Sequence, residues 1–197
     1  PANYAWLSHA IHHLAPKGRA GIVMPRGAVT SDQDTDGKIR SAFLDDDIVE
    51  CIIDLPGQLF FNVQIPATLW FFNKDKSKWK NDRNNQVLMI DARKMGSPIS
   101  STQIEFSTEE IERIGNTFEA WANGKYEDID WYCKSVSRNE IKKKGDDSLK
   151  CLRFNSTMYT VHVNLSITFP VFGVFYNFTK KRGIKSKSNV IKQFNML

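Results

Sequence analysis

The chain has 197 residues, with 27 Lys and Arg against 22 Asp and Glu, which gives a net charge of +5, and 41% of its residues are hydrophobic. This length and composition suit one globular domain and exclude a wholly disordered or collagen-like chain. No apolar run reaches the roughly 18 residues that a membrane span needs, and the first residues lack the pattern of a signal peptide. Three cysteines without a close pair fit a reducing cytoplasm better than a disulfide framework.

The positive charge lies at the end of the chain. Residues 148–197 contain eight Lys and Arg and no Asp or Glu, so they carry +8 while residues 1–147 carry −3. This section is also rich in aromatic residues and poor in helix caps and periodic patterns, which predicts an irregular basic tail. The net charge is therefore a weak argument that the main part of the chain binds nucleic acid.

Helical and strand patterns alternate along the first ninety residues. Apolar residues at helical spacing predict helices, and short, almost uniformly apolar runs predict buried strands. This alternation is typical of an α/β sheet covered by helices, and antiparallel hairpins among the last strands remain one option. The predicted elements are a helix at 3–14, a strand at 19–25, a polar turn-rich stretch at 27–37, one or two helical turns at 38–44, and strands at 48–55, 67–72 and 87–91.

Two capping boxes predict helices further along the chain. Ser107 with Glu110 precedes an apolar helical face that ends near Gly124, and Ser137 with Glu140 precedes a short basic helix over residues 139–144. We expect residues 101–147 to be a helical segment that packs on the sheet or on a partner.

Several residues that could carry chemistry have simpler explanations. His9 and His13 share a helix face with His12 between them, but no Glu completes a zinc-binding His-Glu-x-x-His pattern, so we predict no metal site. The glycines at 18 and 21 precede a strand, which is the wrong context for a phosphate-binding loop. Cys51 lies in an apolar strand and is expected to be a small core residue.

The segment at residues 55–66 is unusual because two adjacent aromatics, Phe60 and Phe61, lie in a loop between two buried strands. Prolines flank this loop, and it also contains Gln58, Asn62 and Gln64. The residues alone favour a hydrophobic plug over the end of the sheet, because loop aromatics are common. The alternative is a platform on which an extruded nucleobase stacks.

Seven short segments occur in the order found in a known family. They are Ala2-Asn-Tyr-Ala-Trp-Leu7, Leu14-Ala-Pro-Lys-Gly-Arg-Ala-Gly-Ile-Val-Met-Pro25, Gly37-Lys-Ile-Arg40, Leu55-Pro-Gly-Gln-Leu-Phe60, Gln64-Ile-Pro66, Leu69-Trp-Phe71 and Ile90-Asp-Ala-Arg-Lys94. Over about residues 1–145 the chain resembles the modification (methyltransferase) subunit of type I restriction–modification systems. That subunit is an adenine-N6 DNA methyltransferase that uses S-adenosylmethionine.

The resemblance implies that residues 1–100 form the latter half of a Rossmann-like methyltransferase sheet. Residues 20–24 would be its fifth strand, and residues 48–55 and 67–72 its last, antiparallel pair. The family's donor-binding glycine loop and catalytic Asn-Pro-Pro-Phe motif would lie before residue 1. We therefore expect a piece of a longer protein that neither binds the donor well nor methylates alone. We also expect the strand at 48–55 to lack a covering layer.

The resemblance also assigns site residues and partners. In related adenine methyltransferases, an aromatic residue from the loop between the last strands stacks on the extruded adenine. This role falls on Phe61, or less directly on Phe60, and Arg26 after the first strand is a candidate DNA contact. The implied partners are DNA, a specificity subunit and a restriction subunit.

Two other hypotheses remain for the function of the chain. One is a non-catalytic nucleic-acid-binding protein that acts through the basic, aromatic tail. The other is an inactive gene remnant. The acid-free composition of residues 148–197 is what a shifted reading frame through AT-rich DNA produces, so we expect this tail to be a frameshift product.

Overall fold

The elements of the fold follow the predicted order through the first ninety residues. The computed structural model describes residues 2–30, 34–78, 81–143 and 174–176. Among these residues, no helix is both long and apolar enough to cross a membrane. The elements are α1 (Ala2–His12), β1 (Arg19–Pro25), α2 (Gly27–Thr30), α3 (Asp34–Asp45), β2 (Val49–Asp54), β3 (Ala67–Asn73), a 3₁₀ turn (Lys76–Lys78), β4 (Gln86–Asp91), β5 (Ser97–Ser100), β6 (Gln103–Glu105), α4 (Thr108–Ala122), β7 (Cys133–Ser137), α5 (Arg138–Lys143) and β8 (Val174–Tyr176).

The described strands form a mixed six-stranded sheet and a separate hairpin. The sheet order is β7-β4-β2-β3-β1-β8, and β5 pairs with β6 in the hairpin. Strand β3 is antiparallel to both β1 and β2, so the predicted antiparallel pair is confirmed. Strand β4 is parallel to β2 and is not a hairpin partner of β3. Strands β1, β2 and β4 therefore end together, at Pro25, Asp54 and Asp91, at what we call the carboxyl end of the sheet.

Strand β2 is covered on both faces. Its Ile52 packs with residues of the helices α1, α2, α3 and α5, while Cys51 and Ile53 pack with residues of α4 on the other face. The expectation that this strand lacks a covering layer is wrong, because α4 and Phe106, which lies between β6 and α4, cover this face. Strand β1 is less completely covered than β2, because its Gly21 and Val23 are only half-buried.

Three parts of the fold differ from the predictions. The stretch 27–37, predicted to be turn-rich, contains the helix α2 and the start of helix α3 at Asp34. The sequence does not predict the start of α3, because its first turn is polar and shows no apolar periodicity. The β5–β6 hairpin is almost entirely exposed, so no buried run marks it. The section predicted to be helical also contains β7, in which Cys133 and Val136 are buried, and β7 pairs with β4 in the main sheet.

Both helices that the capping boxes predict are present in the later part of the chain. The Ser107 hydroxyl accepts from the Glu110 amide at 3.2 Å, and the Ser107 amide donates to Glu110 Oε2 at 2.9 Å, which confirms the first capping box. The Glu140 amide donates to Ser137 Oγ at 3.2 Å at the start of α5. Of the predicted tail, β8 pairs with β1, and the other residues of 148–197 lie outside the described residues.

A buried ionic group fixes the connection between β3 and β4 near the amino end of β2. Glu50 and Arg83 form an ion pair in which both side chains are almost fully buried. Asn73 Nδ2 also donates to Glu50 Oε1 at 2.9 Å, and Arg83 Nη2 donates to the carbonyl of Lys76 at 2.8 Å. The Arg83 guanidinium lies 5.3 Å from the centroid of the Trp121 ring, which links the connection to α4.

Replacing Glu50 by Ala leaves the Arg83 charge buried without its carboxylate. We expect the free energy of unfolding to fall by about 3–5 kcal/mol, because the desolvated charge loses its compensation. The comparison is Lys134→Ala, which removes a half-exposed pair with Glu140 and should cost about 1 kcal/mol or less. Urea unfolding of both variants measures the two losses, and equal losses would contradict a structural role for the buried pair.

Candidate functional site

The loop at residues 55–66 projects from the carboxyl end of the sheet on a narrow neck. The Leu55 amide donates to the Ala67 carbonyl at 2.9 Å, and the Arg26 amide donates to the Pro66 carbonyl at 3.3 Å. A Cβ atom on Gly57 would lie 2.5 Å from the carbonyl oxygen of Gln64, so the two sides of the neck approach too closely for a side chain there. The loop therefore leaves and re-enters the sheet at fixed points.

The two adjacent aromatics of this loop have opposite environments. Phe60 is half-buried against the core under α4 and forms an isolated β-bridge with Val63. Phe61 is 77% exposed. The next residue, Asn62, has a φ of +59°, a left-handed conformation that Asn tolerates well. The tight turn thus anchors Phe60 and presents Phe61 to solvent.

The β5–β6 hairpin holds this loop from the side. The Ile104 amide donates to the Gln58 carbonyl at 2.9 Å, and Gln58 Nε2 lies 3.4 Å from the Ser101 carbonyl. The start of the hairpin is fixed in turn, because the Gly96 amide donates to Glu110 Oε1 at 2.7 Å. A series of hydrogen bonds therefore connects the aromatic loop to the first turn of α4.

Four charged residues gather where β1, β2 and β4 end. The Arg93 guanidinium binds the Asp91 carboxylate through two N–H groups, with Nε at 2.7 Å from Oδ1, and the Arg93 amide donates to the same oxygen at 3.0 Å. Asp54 Oδ2 lies 3.7 Å from Arg26 Nε and 3.8 Å from Arg93 Nε. Arg93 is thus held firmly by Asp91, whereas Arg26 has only the longer contact with Asp54.

The electrostatics of this group distinguish its members. Burial raises the pKa of Asp54, the two neighbouring guanidinium groups oppose that shift, and the Asp91 charge adds to it. The hydrogen bonds that the Arg93 guanidinium donates to Asp91 raise the pKa of Arg93. The Arg26 side chain is 40% exposed, against 22% for Arg93. Arg26 is therefore the more accessible cation at this end of the sheet.

The structure brings the sequence-predicted site residues Phe60, Phe61 and Arg26 to the same end of the sheet. Sequence reasoning missed Asp54, Asp91 and Arg93. The signal was present, because Asp54 closes an apolar strand and the other two belong to the Ile-Asp-Ala-Arg-Lys segment, but neither pattern states which charges meet.

The other candidate residues lie away from this group. His9 lies on α1 and His13 just after its end, with ring centroids 4.3 Å apart. The described residues contain no group of three or more His, Cys, Asp or Glu side chains that could hold a metal ion. Cys51 is buried in β2, as predicted, and burial raises its thiol pKa.

Comparisons with known proteins give a consistent family. A family model described as N-6 DNA Methylase matches residues 1–160. The methylase subunit of the type I restriction enzyme HindI from Haemophilus influenzae is 41% identical over 142 residues, which cover 72% of this chain and 31% of that protein. The MjaIX methylase subunit from Methanocaldococcus jannaschii is 37% identical over 147 residues, covering 73% of this chain and 26% of that protein.

A solved structure has the same fold. The methyltransferase subunit of a type I restriction-modification system from Streptococcus thermophilus superimposes with a TM-score of 0.63 at 31% sequence identity, over 73% of this chain and 28% of that one. The chain belongs to the N-6 DNA methylase family, a family of DNA adenine methyltransferases. Within this family, the chain is similar to methylase subunits of type I restriction enzymes. It spans less than a third of the length of the HindI and MjaIX methylase subunits.

Replacing Asp54 by Asn tests the electrostatics of the site. A carboxyl whose pKa is raised in the folded state stabilises the fold below its unfolded pKa and loses this contribution as pH rises through the folded pKa. We therefore expect Asp54→Asn to be more favourable to stability at pH 7 than at pH 4, in urea unfolding at both values.

Asp45→Asn is the matched control with the opposite sign. Hydrogen bonds from Arg138 and Lys142 lower the pKa of Asp45. Its ionised form stabilises the fold above the unfolded pKa, and this contribution is lost only as pH falls below that value. The substitution should therefore be about equally harmful at pH 7 and pH 4, and less harmful at pH 2. The same pH trend in both variants would contradict the assigned environments.

Proposed function

We propose that this chain is the latter half of the catalytic domain of a type I DNA adenine-N6 methyltransferase subunit, with a Rossmann-like sheet. The complete subunit transfers a methyl group from S-adenosylmethionine to adenine in DNA. Family membership supports the reaction, and the position of the aromatic loop supports the part that this chain plays in it. In this proposal the specificity subunit recognises the target sequence in the DNA, and the restriction subunit completes the assembly.

The exposure of Phe61 is the observation that carries this proposal. An adenine amine inside a stacked duplex is out of reach, so enzymes that modify bases extrude the target and hold it against a flat side chain. Phe61 is 77% exposed, on a loop whose ends and side are fixed by hydrogen bonds. A rigidly held, solvent-facing ring at the carboxyl end of strands is suited to stack on such a base.

Arg26 provides the charge that an adjacent DNA strand requires. Phosphate contacts position a protein on DNA, and arginine is well matched to them because its planar fork presents several donors. Arg26 lies beside the neck of the aromatic loop, because its backbone N–H donates a hydrogen bond to the Pro66 carbonyl, and its side chain is accessible. We assign it to a phosphate near the extruded base.

The residues described here do not fit a complete site for S-adenosylmethionine. Gly18 precedes β1, a Cβ atom on Gly21 would lie 3.2 Å from the Phe71 ring, and the Cβ position of Gly57 is filled by the Gln64 carbonyl. None of them forms an open cradle at the carboxyl end. We propose that the donor is held by other segments of the full-length subunit, and that this chain by itself neither binds it well nor methylates DNA.

Phe61→Ala tests the stacking role on the chain itself. We measure binding to a short duplex in which one adenine lies opposite an abasic site, and to the same duplex fully paired. The wild type should prefer the unpaired adenine, and the substitution should remove about 1–3 kcal/mol of that preference, the usual contribution of base–aromatic stacking.

Trp131→Ala is the matched control for this measurement. Trp131 is a second exposed loop aromatic, 57% exposed, at a residue with positive φ, and it lies beside β7. Its removal should leave the preference for the unpaired adenine unchanged. Equal effects of the two substitutions, or none from Phe61→Ala, would overturn the stacking role.

A further inference from the structure

Asp54 lacks a close partner, although two arginines lie next to it. Its carboxylate accepts no hydrogen bond within the described residues, since the guanidinium nitrogens of Arg26 and Arg93 are 3.7 and 3.8 Å away. Arg93 already donates hydrogen bonds from Nε and Nη2 to Asp91. Asp54 is therefore the loosely bonded member of this group, and of its two neighbours only Arg93 is closely bonded to another carboxylate among the described residues.

This contact does little for the stability of the fold. Burial disfavours the ionised form of Asp54, as its raised pKa indicates, and a pair in which one side chain is 40% exposed is worth little in water. The buried pair of Glu50 and Arg83, at the other end of β2, shows how the same fold pairs charges closely. A different role for Asp54 follows from its position at the start of the aromatic loop.

We propose that Asp54 holds the Arg26 guanidinium at the carboxyl end of the sheet in place of a DNA phosphate, and releases it to the phosphate when DNA binds. This inference rests on the proposed function, because it assumes that DNA approaches this end of the sheet. It makes Asp54 a positioning residue, which acts on DNA through Arg26.

The exchange favours the phosphate when DNA is present and returns Arg26 to Asp54 when it is absent. A phosphate oxygen that accepts an N–H group at hydrogen-bond distance is a better partner for Arg26 than a carboxylate 3.7 Å away. Asp54 keeps the guanidinium of Arg93 at 3.8 Å after the release, so its charge is not left alone. Without DNA, Asp54 restrains the accessible cation and weakens its attraction for any polyanion.

Asp54→Asn tests this proposal, with Asp46→Asn as the charge-matched control. Both substitutions remove one negative charge, but Asp46 is exposed in the turn before β2, at the opposite end of the same strand from Asp54. We measure the Kd of the full chain for the duplex with one unpaired adenine. Asp54→Asn should tighten binding roughly fivefold more than Asp46→Asn, because it frees Arg26.

The same comparison in an Arg26→Gln background isolates the contact. Once Arg26 is removed, Asp54→Asn should have no greater effect than Asp46→Asn, while Arg26→Gln alone should weaken binding and reduce its salt dependence. An equal effect of Asp54→Asn in both backgrounds would overturn the inference and leave the proposed DNA face intact. No effect of Arg26→Gln on binding would overturn both the inference about Asp54 and the proposed DNA face.

Discussion

Strand β3 runs antiparallel between β1 and β2, and its hydrogen bonds to both determine where the candidate site lies. Because β3 begins at Ala67, beside the end of β1 at Pro25 and the end of β2 at Asp54, the intervening loop must project from the carboxyl end of the sheet. Parallel pairing of β2 with β4 brings Asp91 and Arg93 to the same place. One reversal of chain direction thus gathers an aromatic side chain and two arginines from three strand ends.

The two ends of the sheet are built differently. At the amino end of β2, Glu50 and Arg83 are closely paired and buried, and they fasten the long connection between β3 and β4. At the carboxyl end, Asp54 and Arg26 are in loose contact, and Phe61 faces solvent. Close pairing holds the fold together, while loose pairing leaves donors for a ligand. This contrast supports the proposal that the functional face lies at the carboxyl end of the sheet.

Sequence reasoning finds the elements whose burial is visible as a pattern. Strands β2 and β3 are nearly all apolar, and the Ser107–Glu110 capping box marks the start of α4. Strand β7 is not predicted from the sequence, because only Cys133 and Val136 of its five residues are buried and the other three are polar.

The candidate site, too, can be predicted only in part from the sequence. Phe60 and Phe61 stand out because two aromatics interrupt a loop, but their opposite roles depend on the left-handed turn at Asn62, which composition does not reveal. The pairing of Arg93 with Asp91 is local in sequence, two residues apart, whereas the contact of Asp54 with Arg26 depends on sheet order. Long-range pairing of this kind follows from topology, which a single sequence leaves open.

We propose that DNA meets this protein at the carboxyl end of the sheet and not through its basic tail. Amide chemical shifts of the isotope-labelled chain, recorded as the duplex with one unpaired adenine is added, test it directly. We expect the largest chemical-shift changes at Arg26, Phe61 and Arg93. Asp46, at the opposite end of β2, should change little. Changes confined to residues 148–197 would contradict it.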